Sequence, residues 1–140
     1  MNYRWILWFI LVLFVMVLSA CGGSGASSGS VPEQVTETDF KITSSVTTFS
    51  PGTSYHFVVT NNTQTAHEFM MMPKAEGSMS GMPMGNMDAM ARAMVDTIAP
   101  GQTKTLDYIV PSSVAGSHPQ FACYYPGHYE ACMKLDVTVT

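Results

Sequence analysis

A cysteine, a histidine and a methionine follow one another at equal intervals near the C-terminus. Cys123 is followed by four residues and His128, and four further residues separate His128 from Met133. Far upstream, His67 follows an Asn- and Thr-rich stretch and precedes Glu-Phe. One thiolate, two imidazoles and one thioether are the ligand set of a mononuclear copper site with a Cys-His-His plane and a weak axial Met. These four residues therefore predict a copper site in which the thiolate and the thioether suit Cu(I) and the imidazoles suit both oxidation states.

Short strands separated by turns are expected to position these ligands. Alternating or β-branched runs occur at 40–43, 54–60, 103–110, 120–125 and 134–140, with Pro, Gly, Asn or Ser between them. This pattern predicts an all-β sandwich or barrel of two packed antiparallel sheets over residues 34–140. Cys123 would end one strand and Met133 would begin the next. The Pro-Gly turn between them would bring His128 to the same end of the fold.

The segment CYYPGH, followed by Met-Lys and a final alternating strand, closely resembles the cupredoxin family, which includes plastocyanin, azurin and auracyanin. The resemblance covers residues from about 35 to 140, apart from a methionine-rich stretch. It implies a Greek-key β-sandwich with one type 1 copper ion and His128 as the more exposed ligand and electron exit. It also implies that Asn62 lies in the segment that supports the first histidine. The ligands implied are His67, Cys123, His128 and Met133.

The N-terminus has the pattern of an export signal. Arg4 precedes an uncharged apolar run at 6–18, whose 13 residues fall short of the roughly 20 that span a bilayer. Such a run fits the apolar region of a signal peptide. The sequence LSAC and two glycines follow, and this resembles the lipobox of bacterial lipoproteins. The resemblance implies that residues 1–20 are removed and that Cys21 carries lipid.

The expected partners follow from this tether and from the charge. The Gly/Ser tract within 21–33 predicts a flexible linker that holds the domain near a bacterial cell membrane, either at the outer face of the plasma membrane or on the periplasmic side. Without Arg4, ten Asp and Glu stand against five Lys and Arg. This acidic balance argues against binding to nucleic acid or, by charge, to anionic lipid. We therefore expect an extracytoplasmic protein that contacts the membrane through its lipid.

A methionine-rich segment at 70–97 interrupts the strand pattern. Nine of the twelve methionines lie there, and the sequence predicts a loop and then a helix from Asn86, with Asp88 in its first turn and Met87, Met90 and Met94 on one face. The segment could be an adaptable hydrophobic lid, a second, Cu(I)-binding site or a docking surface. The residues expected to supply the second site are Met79, Met82, Met84, Met87, Met90 and Met94.

Cys132 departs from the cupredoxin pattern, because a small or apolar residue more often precedes the axial methionine. Its thiol could compete with Met133, could oxidise, or could pair with Cys123 in an oxidising compartment. Counting favours the disulfide, since three cysteines less a lipidated one leave a pair. A disulfide explains neither His67 nor the spacing of His128, so copper is the preferred interpretation.

Three functions remain open on these grounds. The leading hypothesis is a one-electron carrier that docks with a cytochrome, an oxidase or another respiratory complex. It is not an enzyme, because the sequence shows neither paired catalytic carboxylates nor a Ser-His-Asp arrangement. The alternative is a lipoprotein that binds or delivers copper through its methionine-rich segment. The third hypothesis is a structural sandwich held by a Cys123–Cys132 disulfide.

Overall fold

The computed structural model of the protein describes residues 29–74 and 82–140. The predicted signal peptide, Cys21 and Met79 lie outside these residues. Within them, no helix is long and apolar enough to cross a membrane. The elements are β1 Val31–Thr38, β2 Lys41–Ser44, β3 Thr48–Phe49, β4 Ser54–Asn61, β5 His67–Met72, α1 Met84–Met90, β6 Ala93–Ile98, β7 Thr103–Ile109, a 3-10 turn Ser112–Val114, β8 Gln120–Ala122, β9 Lys134–Asp136 and β10 Thr138–Val139.

Two four-stranded sheets form a sandwich, which confirms the all-β prediction. Sheet 1 has the strand order β2-β1-β4-β7, and sheet 2 has the order β6-β5-β8-β9. The expectation of purely antiparallel sheets is wrong, because β1 pairs with β4 in parallel and β3 pairs with β10 in parallel. The last alternating run accordingly divides between β9 in sheet 2 and β10 beside β3.

An aromatic cluster fills the space between the sheets. Phe57 of sheet 1 packs against Phe69 and Phe121 of sheet 2, with ring centroids 5.8 and 5.9 Å away. Phe69 and Phe121 themselves meet edge to face at 4.9 Å. These side chains are fully buried, and aromatic pairs at such distances stabilise a core beyond their area alone. This aromatic packing therefore holds the two sheets together next to the end of the sandwich at which the predicted ligands lie.

Strand β1 has no counterpart among the predicted strands, because two of its inward residues are acidic. Glu33, Val35 and Glu37 alternate toward the interior and are all buried. The Glu33 carboxylate accepts hydrogen bonds from the hydroxyl of Ser45 at 3.0 Å and the amide of Val46 at 2.9 Å. These donors compensate the carboxylate for lost water, so a strand forms without the usual apolar alternation.

The first methionines of the predicted insertion belong to the sheet. Met70 to Met72 lie in β5, all of whose residues are buried. Phe69 and Met71 face the core between the sheets, whereas Met70 and Met72 face the other side of sheet 2. A strand covered on both faces reads as a continuous apolar run, which hides its period of two.

The helix prediction is correct in kind and wrong in extent. Helix α1 spans Met84–Met90 with Pro83, not Asn86, at its N-cap, and its first turn contains no acidic residue. Met94 lies in β6, where it pairs with Met70, so Met94 shares no helical face with Met87. Sheet pairing overrides the helix preference of this segment: the amide of Arg92 donates to the carbonyl of Met71 at 2.8 Å.

Candidate metal centre

Three of the predicted ligands meet at one end of the sandwich. His67 begins β5, Cys123 directly follows β8, and His128 lies in the loop between β8 and β9. Their donor atoms all lie within 4.8 Å of one another. Among residues 29–74 and 82–140, this is the one group of three or more His, Cys, Asp and Glu side chains with that proximity. The fold thus brings His67 and His128 together, although they are 61 positions apart in the sequence.

The distances fit a single metal ion. Nδ1 of His67 lies 3.2 Å from Nδ1 of His128, and the sulfur of Cys123 lies 3.9 and 3.4 Å from these two nitrogens. Metal sites bind imidazole nitrogen and thiolate sulfur at roughly 2.0–2.3 Å, which places neighbouring donors roughly 3–4 Å apart. The donor set of one thiolate and two imidazoles fits type 1 copper.

The loop between Cys123 and Met133 is folded by its own backbone hydrogen bonds. The amide of Cys123 donates to the carbonyl of Met133 at 3.2 Å, and the amide of Met133 donates to the carbonyl of His128 at 3.0 Å. Gly127 has φ +84, a conformation that favours glycine, and lets the chain turn just before His128. The equal spacing seen in the sequence therefore corresponds to one closed loop.

Met133 is fully buried and belongs to the same core cluster as Cys123. Its backbone contacts with Cys123 and His128 keep it beside the other three residues. A thioether needs no deprotonation and no hydrogen bond to act as a weak ligand. Its position is compatible with the axial role, which stays a prediction.

A hydrogen-bond network fixes the His67 ring. Nε2 of His67 lies 3.0 Å from the hydroxyl of Thr63, which in turn donates to Oδ1 of Asn61 at 2.8 Å. The Nε2–H group therefore donates to Thr63 and leaves the Nδ1 lone pair directed at the other donors. Such outer hydrogen bonds set the tautomer of metal-binding histidines.

The residue that supports this loop is Asn61, not Asn62. Asn61 is fully buried, and its amide nitrogen donates to the carbonyls of Thr65 at 2.7 Å and Ile98 at 2.8 Å. Asn62 is exposed. The resemblance pointed to Asn62, whereas the side chain that makes these hydrogen bonds is that of the preceding residue, and the sequence does not show which of the two faces inward at the end of β4.

The two histidines differ in exposure, as the resemblance implied. His67 is 1% exposed, whereas His128 is partly exposed. The ring of Phe40, itself 51% exposed, packs edge to face against His128 at 5.8 Å. Phe40 lies in the β1–β2 turn with φ +56, which is unfavourable for a residue with a side chain. No motif marked Phe40 in the sequence.

Burial controls the protonation of the centre. It raises the pKa of the Cys123 thiol to about 11, although the nearby backbone amides of Glu68 and Tyr125 act in the opposite direction. Burial and the neighbouring His128 lower the pKa of His67. The thiol and this imidazole are therefore neutral at pH 7. Since a metal ion requires the thiolate, binding must release a proton.

Cys132 takes no part in the centre. Cys123 is buried and Cys132 is exposed, and both are free thiols. The disulfide favoured by counting is thus wrong, because the side chain of Cys132 is exposed whereas Cys123 and Met133 are buried. Cys132 is also absent from the group of donors that could share a metal ion.

Solved structures of blue copper proteins share this fold. Auracyanin A of Chloroflexus aurantiacus, described as a "blue" copper protein, gives a TM-score of 0.65 at 16% identity, covering 80% of this chain and 100% of its own. Dithionite-reduced auracyanin of Roseiflexus castenholzii gives 0.62 at 16%, with 80% and 98% covered. An azurin of Methylomonas sp. strain J gives 0.58 at 17%, with 80% and 99% covered. No protein-family model and no curated protein sequence matches the chain. At these identities, the likeness establishes a cupredoxin fold.

Proposed function

We propose that the protein is a one-electron carrier that uses a single type 1 copper bound by His67, Cys123, His128 and Met133. The observation that carries the proposal is the convergence of one thiol and two imidazole nitrogens within 3.2–3.9 Å. Copper bound there would supply a one-electron couple. The structural neighbour that is named as a "blue" copper protein supports the same assignment.

The surroundings of the donors suit electron transfer without chemical conversion of a substrate. His67 is held by Thr63 and the Asn61 network, and Cys123 begins a loop closed by backbone hydrogen bonds. Because the protein fixes the donors in advance, little rearrangement would accompany a change in copper charge. We therefore propose that the protein acts as an electron carrier and not as an enzyme.

The partner is proposed to dock at the His128 end. His128 is the ligand that reaches the surface, and the exposed ring of Phe40 lies beside it. An exposed aromatic ring beside a partly exposed ligand offers an apolar contact through which a cytochrome, an oxidase or another respiratory complex could approach closely. Electron transfer requires a short distance between the two redox centres, and such a contact would provide it.

The proposal places this domain outside the cytoplasm on a lipid attached to Cys21. Its support is the lipobox-like sequence before Cys21 and the Gly/Ser tract after it. Metabolic labelling with palmitate tests it, with Cys132→Ser as the matched control for Cys21→Ser. We expect Cys21→Ser alone to lose label and leave the membrane fraction. Equal labelling of both variants would contradict the anchor.

Retention of copper separates the carrier from the alternative, copper delivery. The copper-loaded protein is cycled between ascorbate and ferricyanide in the presence of a Cu(I) chelator, while its colour and copper content are followed. A carrier recovers its full visible absorption in each cycle, because the ligands hold both oxidation states. Transfer of copper to the chelator on the first reduction would instead identify a delivery protein.

A further inference from the structure

The outer face of sheet 2 carries a second cluster of sulfur atoms, which we call the outer thioether cluster. It contains the buried Met70, Met72 and Met87, with Met82, Met84 and Met94 packed against them. Two strands and one helix contribute to it: β5 supplies Met70 and Met72, β6 supplies Met94, and α1 supplies Met87 and Met84. This face is separate from the metal centre, which lies on the inner side.

The register of the strands brings two of these side chains together. Met70 of β5 is the cross-strand partner of Met94 in β6, and directly opposed residues have Cβ atoms roughly 4.5–5.5 Å apart. On the other side of Met70 the partner in β8 is Ala122, whose small side chain leaves room beside the thioethers. Met87, the one buried residue of α1, packs in the same cluster as Met70 and Met94.

The composition of the cluster distinguishes it from an ordinary packed core. Its other members are Ala91, Ala122, Tyr124 and Tyr129, so it contains no Val, Leu, Ile or Phe. The core between the sheets, by contrast, is built mainly from Val, Ile and Phe. Branched aliphatic side chains pack with better-defined rotamers than methionine. Simple burial of sheet 2 therefore does not account for six thioethers in one place.

One polar group in the cluster has no hydrogen-bond partner in the part of the chain that the structure describes. Tyr124 is 7% exposed and stacks on Tyr129 with ring centroids 4.7 Å apart. The hydroxyl of Tyr129 donates to Gln120, but that of Tyr124 has no hydrogen bond among the described residues. A buried hydroxyl without a partner is costly, and this one belongs to a residue packed in the same cluster as the methionines.

We propose that the outer thioether cluster is a Cu(I)-binding site in which Met70, Met87 and Met94 supply the sulfur ligands. Thioethers are soft donors that select Cu(I) and need no deprotonation. The site differs from the sequence-based set in including Met70 of β5. It also excludes Met90, which is 43% exposed and lies outside the cluster. Because its ligands are distinct from His67, Cys123 and His128, it stands independently of the carrier function.

Methyl NMR of the full chain with labelled methionines tests this site directly, because Cu(I) is diamagnetic. Cu(I) is added anaerobically in two equivalents. We expect the metal centre to take one equivalent, with a shift of the Met133 methyl, and the outer cluster to take the other, with shifts of Met70, Met87 and Met94. The methyls of Met71 and Met90 should stay in place, since Met71 faces the inner core from the same strand.

A triple variant with Met70, Met87 and Met94 changed to Leu keeps the apolar volume and should lose one of the two Cu(I) equivalents. Met90→Leu is its control and should keep both. The visible absorption of the Cu(II)-loaded centre reports that each variant is folded, and it should be unchanged. A wild-type protein whose Met70, Met87 and Met94 methyls do not shift with Cu(I), or a triple variant that binds as many equivalents of Cu(I) as the wild type, would overturn the proposal.

Discussion

The metal centre and the outer thioether cluster lie on opposite faces of sheet 2 and differ in how their side chains are held. Strand β5 directs Phe69 and Met71 inward and Met70 and Met72 outward, and the chain at β8 directs Cys123 inward and Tyr124 outward. In the centre, hydrogen bonds fix the ring of His67 and the Cys123–Met133 loop. In the cluster, thioethers are held by packing alone.

This difference teaches how one sheet can support two kinds of site. Imidazole and thiol donors have directional lone pairs, so they must be oriented by neighbours. Thioethers are flexible and polarizable, so a pocket of approximately the right shape is sufficient. We expect the centre to respond sharply to single polar substitutions, and the cluster to respond only when several sulfur atoms are removed.

The largest effect is expected from Cys123→Ser. Loss of the thiolate removes the sulfur-to-copper charge transfer, so the visible band should disappear completely. Cys132→Ser is the matched control and should keep the band, because that thiol is exposed and lies outside the donor group. Absorption spectra of the two copper-loaded variants make the comparison. A colourless Cys132→Ser would mean that the wrong cysteine has been assigned to the centre.

Glu37, which is buried in β1, should make the free energy of unfolding depend strongly on pH. Burial, and then the nearby Glu68, raise the pKa of its carboxyl from 4.5 to about 8, and neither oxygen has a hydrogen bond within the described part of the chain. Between pH 4.5 and about pH 8, the Glu37 carboxyl keeps its proton in the folded protein but releases it in the unfolded chain. Stability should therefore fall as pH rises through this window and level off above about 8.

The size of that loss is on the order of 3 kcal/mol between pH 5 and pH 8, at roughly 1.4 kcal/mol per pH unit. Glu37→Gln has no proton to lose, so its free energy of unfolding should lack this slope. Urea unfolding of the metal-free proteins across the window measures both curves. Parallel curves would show that Glu37 is already ionised in the folded state.

Asn61→Ala should destabilise the protein by about 2–3 kcal/mol. It removes hydrogen bonds to Thr63, Thr65 and Ile98 and leaves buried groups unpaired. Asn62→Ala, at the exposed neighbour, should change the free energy of unfolding by less than about 0.5 kcal/mol. Equal effects in chemical denaturation would contradict the assignment of the supporting asparagine.

A smaller effect is expected at Phe40, where two variants separate backbone strain from the ring contact. Both Phe40→Ala and Phe40→Gly remove the ring that packs on His128, but only glycine accepts φ +56 without cost. Phe40→Gly should therefore be more stable than Phe40→Ala by about 1 kcal/mol. Denaturant titrations that give equal stabilities would show that the turn relaxes around alanine.

Much of the inner side could be predicted from the sequence, because turns and alternating strands mark the sandwich and the Cys-His-Met spacing marks the loop. Whether Asn61 or Asn62 faces the interior could not be predicted, because this depends on where β4 ends. Neither could β1, whose inward Glu33 and Glu37 disguise its alternation.

The outer side was less predictable. Because β5 is buried on both faces, its residues 69–72 are all apolar, and the sequence shows no alternation there that would mark Met70 to Met72 as part of a strand. The helix formers after Met87 concealed that the chain pairs with β5 from Ala93 onward. Which methionines gather together is decided by cross-strand register, and a single sequence without that register does not contain this information.

The most direct test of the central claim is a Cu(II) titration of the purified protein followed by visible absorption. The account predicts an intense blue band from thiolate-to-copper charge transfer that grows to one equivalent of Cu(II), stops there, and bleaches with ascorbate. A protein that stays colourless at one equivalent would show that His67, Cys123 and His128 do not form a type 1 copper site, and the carrier proposal would be wrong.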